Sequence, residues 1–219
     1  GEIRANQYEL AAHWRGQWGP VRAFVRGSAA RIDFGGTRRF AQMLNGKLVE
    51  RSAEGDWSGD LYSSSAGLGY EARIGKRLIL RPTAVIDYYK LDENGYAETG
   101  GGNAFNLIVD KRSSDELAVN GTLVAGYEVG SLRPDDVWIR AEIEGGRRQI
   151  IGGSLGETTA RFKDGAAFTL LPDARSDGWI GWLRLVGGQQ GFALAGEVGA
   201  EEQFGNLALN ARVSLRIGF

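Results

Sequence analysis

The chain has 219 residues, with 26 lysines and arginines against 27 aspartates and glutamates, and a formal net charge of -1. Because the basic residues are spread through the chain, the charge indicates neither a nucleic-acid surface nor a trap for acidic substrates. The sequence contains no cysteine, which excludes a disulfide framework and cysteine-ligated metal sites.

The chain combines 34 glycines with only 4 prolines, which is typical of closely spaced strands joined by tight turns. Helical periodicity is weak throughout, whereas a two-residue alternation recurs. The apolar run "LILRPTAVI" is broken by Arg81, so no segment reaches the roughly 18 apolar residues of a membrane-spanning helix. A transmembrane strand needs only about ten alternating residues. The pattern predicts nine strands, in chain order 3–14, 20–34, 57–74, 78–92, 104–129, 136–150, 179–187, 191–201 and 207–219.

The alternation assigns side chains to two different faces. In the second predicted strand Val21, Ala23 and Val25 share one face, while Arg22 and Arg26 lie on the other. The third, fourth, sixth and eighth strands repeat this division. One face of the sheet is therefore predicted to be apolar and the other charged, although a soluble sandwich alternates in the same way.

The lengths of the connections favour a membrane barrel over a sandwich. Short turns are predicted at 16–19, 75–77, 130–135 and 187–190, and long loops at 35–56, 93–103 and 151–178, with 202–206 as the exception. Outer-membrane barrels have tight periplasmic turns and long surface loops. If Phe219 is periplasmic, every short turn falls on that side. Aromatic residues near predicted strand ends would suit an interfacial girdle, namely Trp14, Trp18, Tyr70, Trp179, Phe192 and Phe219.

The sequence therefore predicts an all-β fold, an antiparallel transmembrane β-barrel of which about nine strands are present. Its charged face would line a hydrated lumen, where arginines and carboxylates are expected to pair because isolated buried charge is costly. The residues predicted to line the lumen are Arg22, Arg26, Glu71, Arg73, Arg81, Asp87, Arg140, Glu142, Glu144, Arg184, Glu197, Arg212 and Arg216.

Catalytic and metal-binding patterns are sparse. His13 is the single histidine, and without a second histidine or a cysteine it cannot complete a typical metal site. It is expected to be a hydrogen-bonding residue of the lumen. No metal or cofactor is predicted.

Glu142 and Glu144 lie two residues apart and hence on one face, so they could supply an acid and a base. Alternatively, they could neutralise arginines of neighbouring strands, namely Arg140, Arg184, Arg212 and Arg216. The second interpretation is favoured by the cost of unpaired interior charge.

The middle of the chain carries a more specific pattern, "LILRPTAVIDYYKLDENGYAETGGGNAFNLIVDKRSSDELAVNGTLVAGYE" at residues 78–128. Its elements are Pro82 within a strand, Tyr88, "GYAETGG" at 95–101, "NLIV" at 106–109, and Gly121. This stretch resembles the autotransporter β-domain family of type V secretion.

The closing "RVSLRIGF" resembles the last strand of that family, whose terminal Phe is part of the signal read by the β-barrel assembly machinery. The resemblance assigns this signal to Val213, Leu215, Ile217 and Phe219.

The resemblance implies a twelve-strand barrel, with a helix or linker passing through the pore to a secreted passenger. The nine predicted strands would be the last nine, so three strands, the pore helix, the passenger and any export signal are expected upstream of Gly1. The expected location is the outer membrane of a Gram-negative bacterium. The expected partners are outer-membrane lipid and lipopolysaccharide, the chain's own passenger segment and the assembly machinery.

The resemblance does not imply an enzyme. Self-cleaving members of the family act at the linker, which this sequence does not include, so no catalytic residue is transferred. Two other functions stay open, a self-standing barrel that acts as a pore or adhesin, and a β hydrolase that uses Glu142 and Glu144.

Overall fold

The computed structural model describes residues 1–44, 46–130, 136–175, 177–189, 191–203 and 206–217. Regular structure within these residues consists of β-strands. The strands are β1 (Glu2–Trp18), β2 (Val21–Leu44), β3 (Lys47–Tyr70), β4 (Ala72–Ile74), β5 (Leu78–Glu93), β6 (Tyr96–Ala97), β7 (Leu107–Val109), β8 (Arg112–Gly130), β9 (Trp138–Gly152), β10 (Thr158–Phe162), β11 (Phe168–Leu170), β12 (Gly178–Gln189), β13 (Phe192–Gln203) and β14 (Asn206–Ile217).

The main sheet is an antiparallel meander in the order β1-β2-β3-β5-β8-β9-β12-β13-β14, with β4 beside β5 where it continues the line of β3. It forms an open half-barrel whose edge strands are β1 and β14. The all-β, antiparallel prediction with nine strands is confirmed. Among the described residues, no helix is long and apolar enough to cross a membrane.

Four short strands form a second sheet in the order β11-β10-β7-β6. They come from the two long connections, 94–111 and 153–177, which lie at the same end of the main sheet. We call this end the loop end, and the opposite end, where residues 19–20 and 75–77 make short connections, the turn end.

Several predicted boundaries differ from the structure. Strand β1 continues into the predicted turn 16–19 as far as Trp18, and β12 continues into the predicted turn 187–190 as far as Gln189. The predicted loop 35–56 is instead an extension of the β2–β3 hairpin, paired as far as Leu44 and Lys47. The Asn45-Gly46 dipeptide is a strong hairpin signal, and Gly46 has a φ of 75°, which a glycine adopts without strain. The predicted strand 104–129 begins only at Arg112. The predicted strand 57–74 is interrupted at Glu71, between β3 and β4.

Several predictions fall outside the described residues. The turn predicted at 130–135 is described only at Gly130, and the turn at 187–190 only as far as Gln189. The connection at 202–206 lacks 204–205, and Phe219 lies beyond the last described residue.

The register gives the main sheet two chemically different faces, because directly paired residues point to the same side. The face assignments made from the sequence agree with this register. Large apolar side chains on one face, such as Leu68 and Leu183, remain about 60% exposed. We call it the apolar face. Among the described residues no second layer covers it, so the fold is not a sandwich.

Candidate functional site

The opposite side of the main sheet, the charged face, brings the predicted polar residues together. On β12, Arg184 pairs in register with Glu142 of β9 and with Glu197 of β13. Glu197 pairs in turn with Arg212 of β14. Nearer the β1 edge of the sheet, Arg26 pairs in register with Ser65 of β3, and Ser65 pairs in turn with Asp87 of β5. Twelve of the thirteen residues predicted to line the lumen have a strand position on this face. The other, Glu71, lies between β3 and β4 and contacts Arg22 of the same face.

Glu142 lies at the centre of the charged face and is nearly inaccessible, with a side chain 5% exposed. Its carboxylate oxygens lie 3.1 Å from Nη1 of Arg184, 3.3 Å from Nη2 of Arg81 and 3.6 Å from Nη1 of Arg140. Three guanidinium groups on three different strands therefore converge on one carboxylate. Such charge-assisted pairs are strong where water is largely excluded.

Two further buried glutamates lie nearer the turn end. Glu71 is 2.8 Å from Arg22 and 3.3 Å from Arg73. Glu128 is 3.2 Å from Arg73 and 2.5 Å from Arg140. Arg73 and Arg140 thus each bridge two carboxylates. Glu128 was missed by the sequence analysis, although its alternation within the predicted strand 104–129 places it on the charged face.

Arg184 extends the set toward β13, with Glu197 at 3.0 Å and Glu144 at 3.4 Å. The result is a continuous set of five arginines and five glutamates, in which positive and negative charges balance. We call it the arginine–glutamate network, and its members are Arg22, Arg73, Arg81, Arg140, Arg184, Glu71, Glu128, Glu142, Glu144 and Glu197.

The structure answers part of the question raised by Glu142 and Glu144. Both carboxylates contact Arg184, and Glu142 also contacts Arg140, as the charge-neutralising interpretation expects. Arg212 and Arg216 are not brought to these carboxylates, because β12 and β13 lie between β9 and β14. Both arginines are instead exposed on β14.

The remaining predicted residues lie farther from the network. Asp87 accepts a hydrogen bond from Asn120, and Arg26 lies 3.5 Å from Glu9. His13 is the register partner of Arg26 on the charged face. Among the described residues, histidines and carboxylates form no group of three or more that could hold a metal ion.

At the loop end, aromatic rings attach the second sheet to the same face. The Trp57 ring of β3 stacks on Phe34 of β2, with centroids 5.1 Å apart, and on Tyr96 of β6 at 4.6 Å. Its indole Nε1 donates a hydrogen bond of 3.2 Å to Glu93, a carboxylate that also binds Arg112 through Nε at 2.5 Å. The second sheet therefore covers part of the charged face rather than extending away from it.

A second anchor joins β2 to the segment between β6 and β7. Arg38 donates to both carboxylate oxygens of Glu98, at 2.7 and 2.5 Å, and the same carboxylate accepts the backbone amide of Leu107 at 2.9 Å. Glu98 raises the pKa of Arg38 above its ordinary value. The sequence predicts a loop at 93–103, and neither Arg38 nor Glu98 was among the predicted site residues.

The sequence also matches a known family. The model of the family described as Autotransporter beta-domain matches residues 1–190. The chain belongs to the autotransporter β-domain family. This family is one of secretion barrels associated with the Gram-negative outer membrane, and the resemblance noted at residues 78–128 lies within the matched region. Strand β14, which carries the predicted assembly signal, lies outside it.

Among solved structures, the β-domain is similar to the translocator domain of autotransporter NalP from Neisseria meningitidis. The two are 14% identical, the alignment covers 97% of this chain and 74% of the other, and the TM-score is 0.34. No curated protein matches this chain.

Proposed function

We propose that this β-domain supports the export of a passenger polypeptide across the outer membrane and anchors it at the cell surface. The observation that carries the proposal is the two-faced sheet, with exposed apolar side chains on one side and the arginine–glutamate network on the other. In a membrane, the apolar face would contact lipid and lipopolysaccharide, and the charged face would line water.

Closure of the barrel is part of the proposal. An unpaired amide costs several kcal/mol in hydrocarbon, so a spanning sheet must have no free edge. Strands β1 and β14 run in the same direction, because they are the first and ninth strands of an antiparallel meander. An odd number of added strands would close the sheet with antiparallel pairing throughout. The three strands expected from the family satisfy this condition, with a pore helix and a passenger preceding them.

The proposed role of the network is to keep the pore hydrated and its wall rigid. A balanced set of ion pairs leaves little net attraction for a passing chain of either charge, whereas an apolar lining would bind unfolded polypeptide nonspecifically. The chemistry assigned to Glu142 and Glu144 is therefore electrostatic support of the wall, and we propose no enzymatic activity.

We also propose that the last strand is read by the assembly machinery during insertion. Val213, Leu215 and Ile217 alternate on the apolar face of β14 and are 79%, 57% and 56% exposed. β14 has a neighbour only on its β13 side among the described strands. An accessible edge with an apolar row can pair with another β-strand.

The experiment uses the full precursor in a Gram-negative host, with protease accessibility of the passenger on intact cells as the measure of export. Replacing the network charges of β9 and β12 together, with leucine at Arg140, Glu142, Glu144 and Arg184, should strongly reduce display. A single Arg26→Leu change should have little effect. Heat-modifiable migration on a gel checks that each variant is folded.

Full display from the folded multiple variant would contradict the proposed role of the lumen charges. A precursor that places no upstream polypeptide outside the cell would instead indicate a self-standing pore or adhesin.

A further inference from the structure

The loop end of the β-domain is covered unevenly. Two connections, 94–111 and 153–175, form the covering structure. We call them together the cap. Their described contacts reach β3, the extension of the β2–β3 hairpin at 35–56, β8 and the outer end of β9, which belong to one side of the half-barrel.

On the β2 and β3 side the cap is held by contacts of several kinds. Besides the Trp57 stack and the Arg38–Glu98 pair, Glu54 and Thr99 form an isolated antiparallel bridge, with N···O distances of 2.8 and 2.7 Å. Farther out, the Phe40 ring of the hairpin lies 5.3 Å from the Phe105 ring. Separation of the cap from this wall would break all of these contacts together.

On the β8 side the cap is held by hydrogen bonds of side chains and backbone groups. Arg112 donates to Thr158 Oγ1 at 2.8 Å, and Ser114 Oγ accepts the Gly156 amide at 2.9 Å. Arg175 donates to the carbonyl oxygens of Gly152 and Gly153. The carbonyl group of Gly152, the last residue of β9, therefore has a guanidinium partner supplied by the cap.

The other side of the half-barrel is built differently. Strand β13 ends at Gln203 and β14 begins at Asn206, so only two residues of sequence separate them. On β14, Arg212 and Arg216 are exposed on the charged face, and Arg184 and Glu197 of the neighbouring strands are partly exposed. This wall presents side chains of both signs to water.

We propose that an exported polypeptide leaves along the wall formed by β12, β13 and β14, while the cap stays attached to the opposite wall. This inference rests on the proposed export function and specifies the route. Opening the cap would break stacked rings, a buried ion pair and a backbone bridge, whereas passage along the β12–β14 wall would require none of these losses. The occupant of that wall is a polypeptide in transit, in an extended conformation and accompanied by water.

The Glu54–Thr99 bridge offers a direct test. Residues that exchange both backbone hydrogen bonds have Cα atoms about 5.5 Å apart, which is within the range that a disulfide spans. The chain has no cysteine of its own. The double variant Glu54→Cys with Thr99→Cys should therefore lock the cap to β3 through a disulfide under oxidising conditions. Labelling of the remaining free thiols measures the fraction of protein in which this disulfide has formed.

The test compares display of a cysteine-free passenger from the full precursor carrying the lock, the lock kept reduced with dithiothreitol, and each single cysteine variant. Equal display in all four is the expected result. Display that falls only in the oxidised double variant and recovers on reduction would overturn the route, since the cap would then have to open. No display even from the unmodified precursor would instead contradict the proposed export function.

A photocrosslinking arm tests the route independently of the disulfide. A photoreactive phenylalanine analogue is placed at Arg212 on β14 or at Phe105 in the cap, and a passenger with a stably folded reporter is stalled during export. Crosslinks to the passenger are expected from position 212 and not from position 105. Crosslinks from position 105 with none from position 212 would overturn the proposal.

Discussion

Arg81 of β5 reaches past β8 to bring its Nη2 within 3.3 Å of Oε2 of Glu142 on β9. The side chain of Arg81 can pass over β8 because the two residues of β8 at this level, Gly126 and Val124, are small or short. A Cβ on Gly126 would lie 3.3 Å from Cγ of Glu142. The contact across one strand is possible because the charged face is concave, so long side chains on alternate strands converge.

The first prediction concerns the central carboxylate. Glu142→Gln leaves Arg81, Arg140 and Arg184 without the shared negative charge, and breaking a buried pair in this way costs about 3 kcal/mol or more. In detergent, we expect this variant to change from the gel mobility of the folded protein to that of the unfolded protein at a clearly lower temperature than the parent.

The matched control is Glu9→Gln, which removes a carboxylate 34% exposed and 3.5 Å from Arg26. Exposed pairs contribute less than about 1 kcal/mol, so this variant should behave like the parent. Similar behaviour of the Glu142 and Glu9 variants would show that the network does not support the sheet.

The second prediction concerns a glycine beneath an aromatic ring. A Cβ on Gly67 of β3 would lie 2.2 Å from Cε1 of Phe24, its register partner on β2. Gly67→Ala should therefore displace the ring, at a cost of about 1 to 3 kcal/mol. Gly145→Ala is the control, because a Cβ there would meet nothing within 4 Å.

Adding Phe24→Leu to Gly67→Ala should recover part of the loss, since a shorter side chain leaves room for the new methyl group. A double-mutant cycle in urea measures this coupling. Additive losses would mean that the ring and the glycine are not in contact.

The division of the main sheet into faces could be predicted because a strand has a fixed two-residue period. Within one strand, Arg22 and Arg26 point to one face and Val21 and Val25 to the other. The antiparallel register then gives the neighbouring strands the same division. Glu128 could have been found by the same rule, since it lies an even number of residues from Asn120 and Val124. Which arginine contacts which glutamate depends on curvature, which the period does not contain.

The cap could not be predicted for a different reason. Strands β6, β7 and β11 have only two or three residues each, too few to show any period. Strand β7 pairs with β10 from another connection, a contact between segments about fifty residues apart. The hairpin extension, against which the cap packs, contains many polar residues, such as Arg38 and Arg39. This composition is typical of a solvated loop, so the sequence did not predict paired strands there.

The third prediction tests attachment of the cap. Arg38→Ala removes both hydrogen bonds to Glu98, whose side chain is 5% exposed, and leaves that carboxylate without its cation. Hydrogen exchange of the backbone amides of residues 96–109 should become at least tenfold faster, because this segment opens more easily. Arg39→Ala, at the next position along β2, should leave exchange unchanged, since Arg39 is exposed. Unchanged exchange in the Arg38 variant would argue against the anchor.

The fourth prediction concerns pH. Burial raises the pKa of the Tyr96 phenol above its usual value, and the neighbouring Glu98 carboxylate adds to the shift. Because the folded pKa lies above the unfolded value near about 10, the attachment of this ring is fully present below that pH and weakens as the pH rises through the folded pKa.

Absorbance at about 295 nm detects tyrosinate, and the difference between the parent and Tyr96→Phe isolates this one ring. The midpoint of this difference titration should lie at a higher pH in the folded proteins than in the same two proteins unfolded in urea. Equal midpoints in the folded and unfolded proteins would mean that Tyr96 is not held against Trp57 in solution.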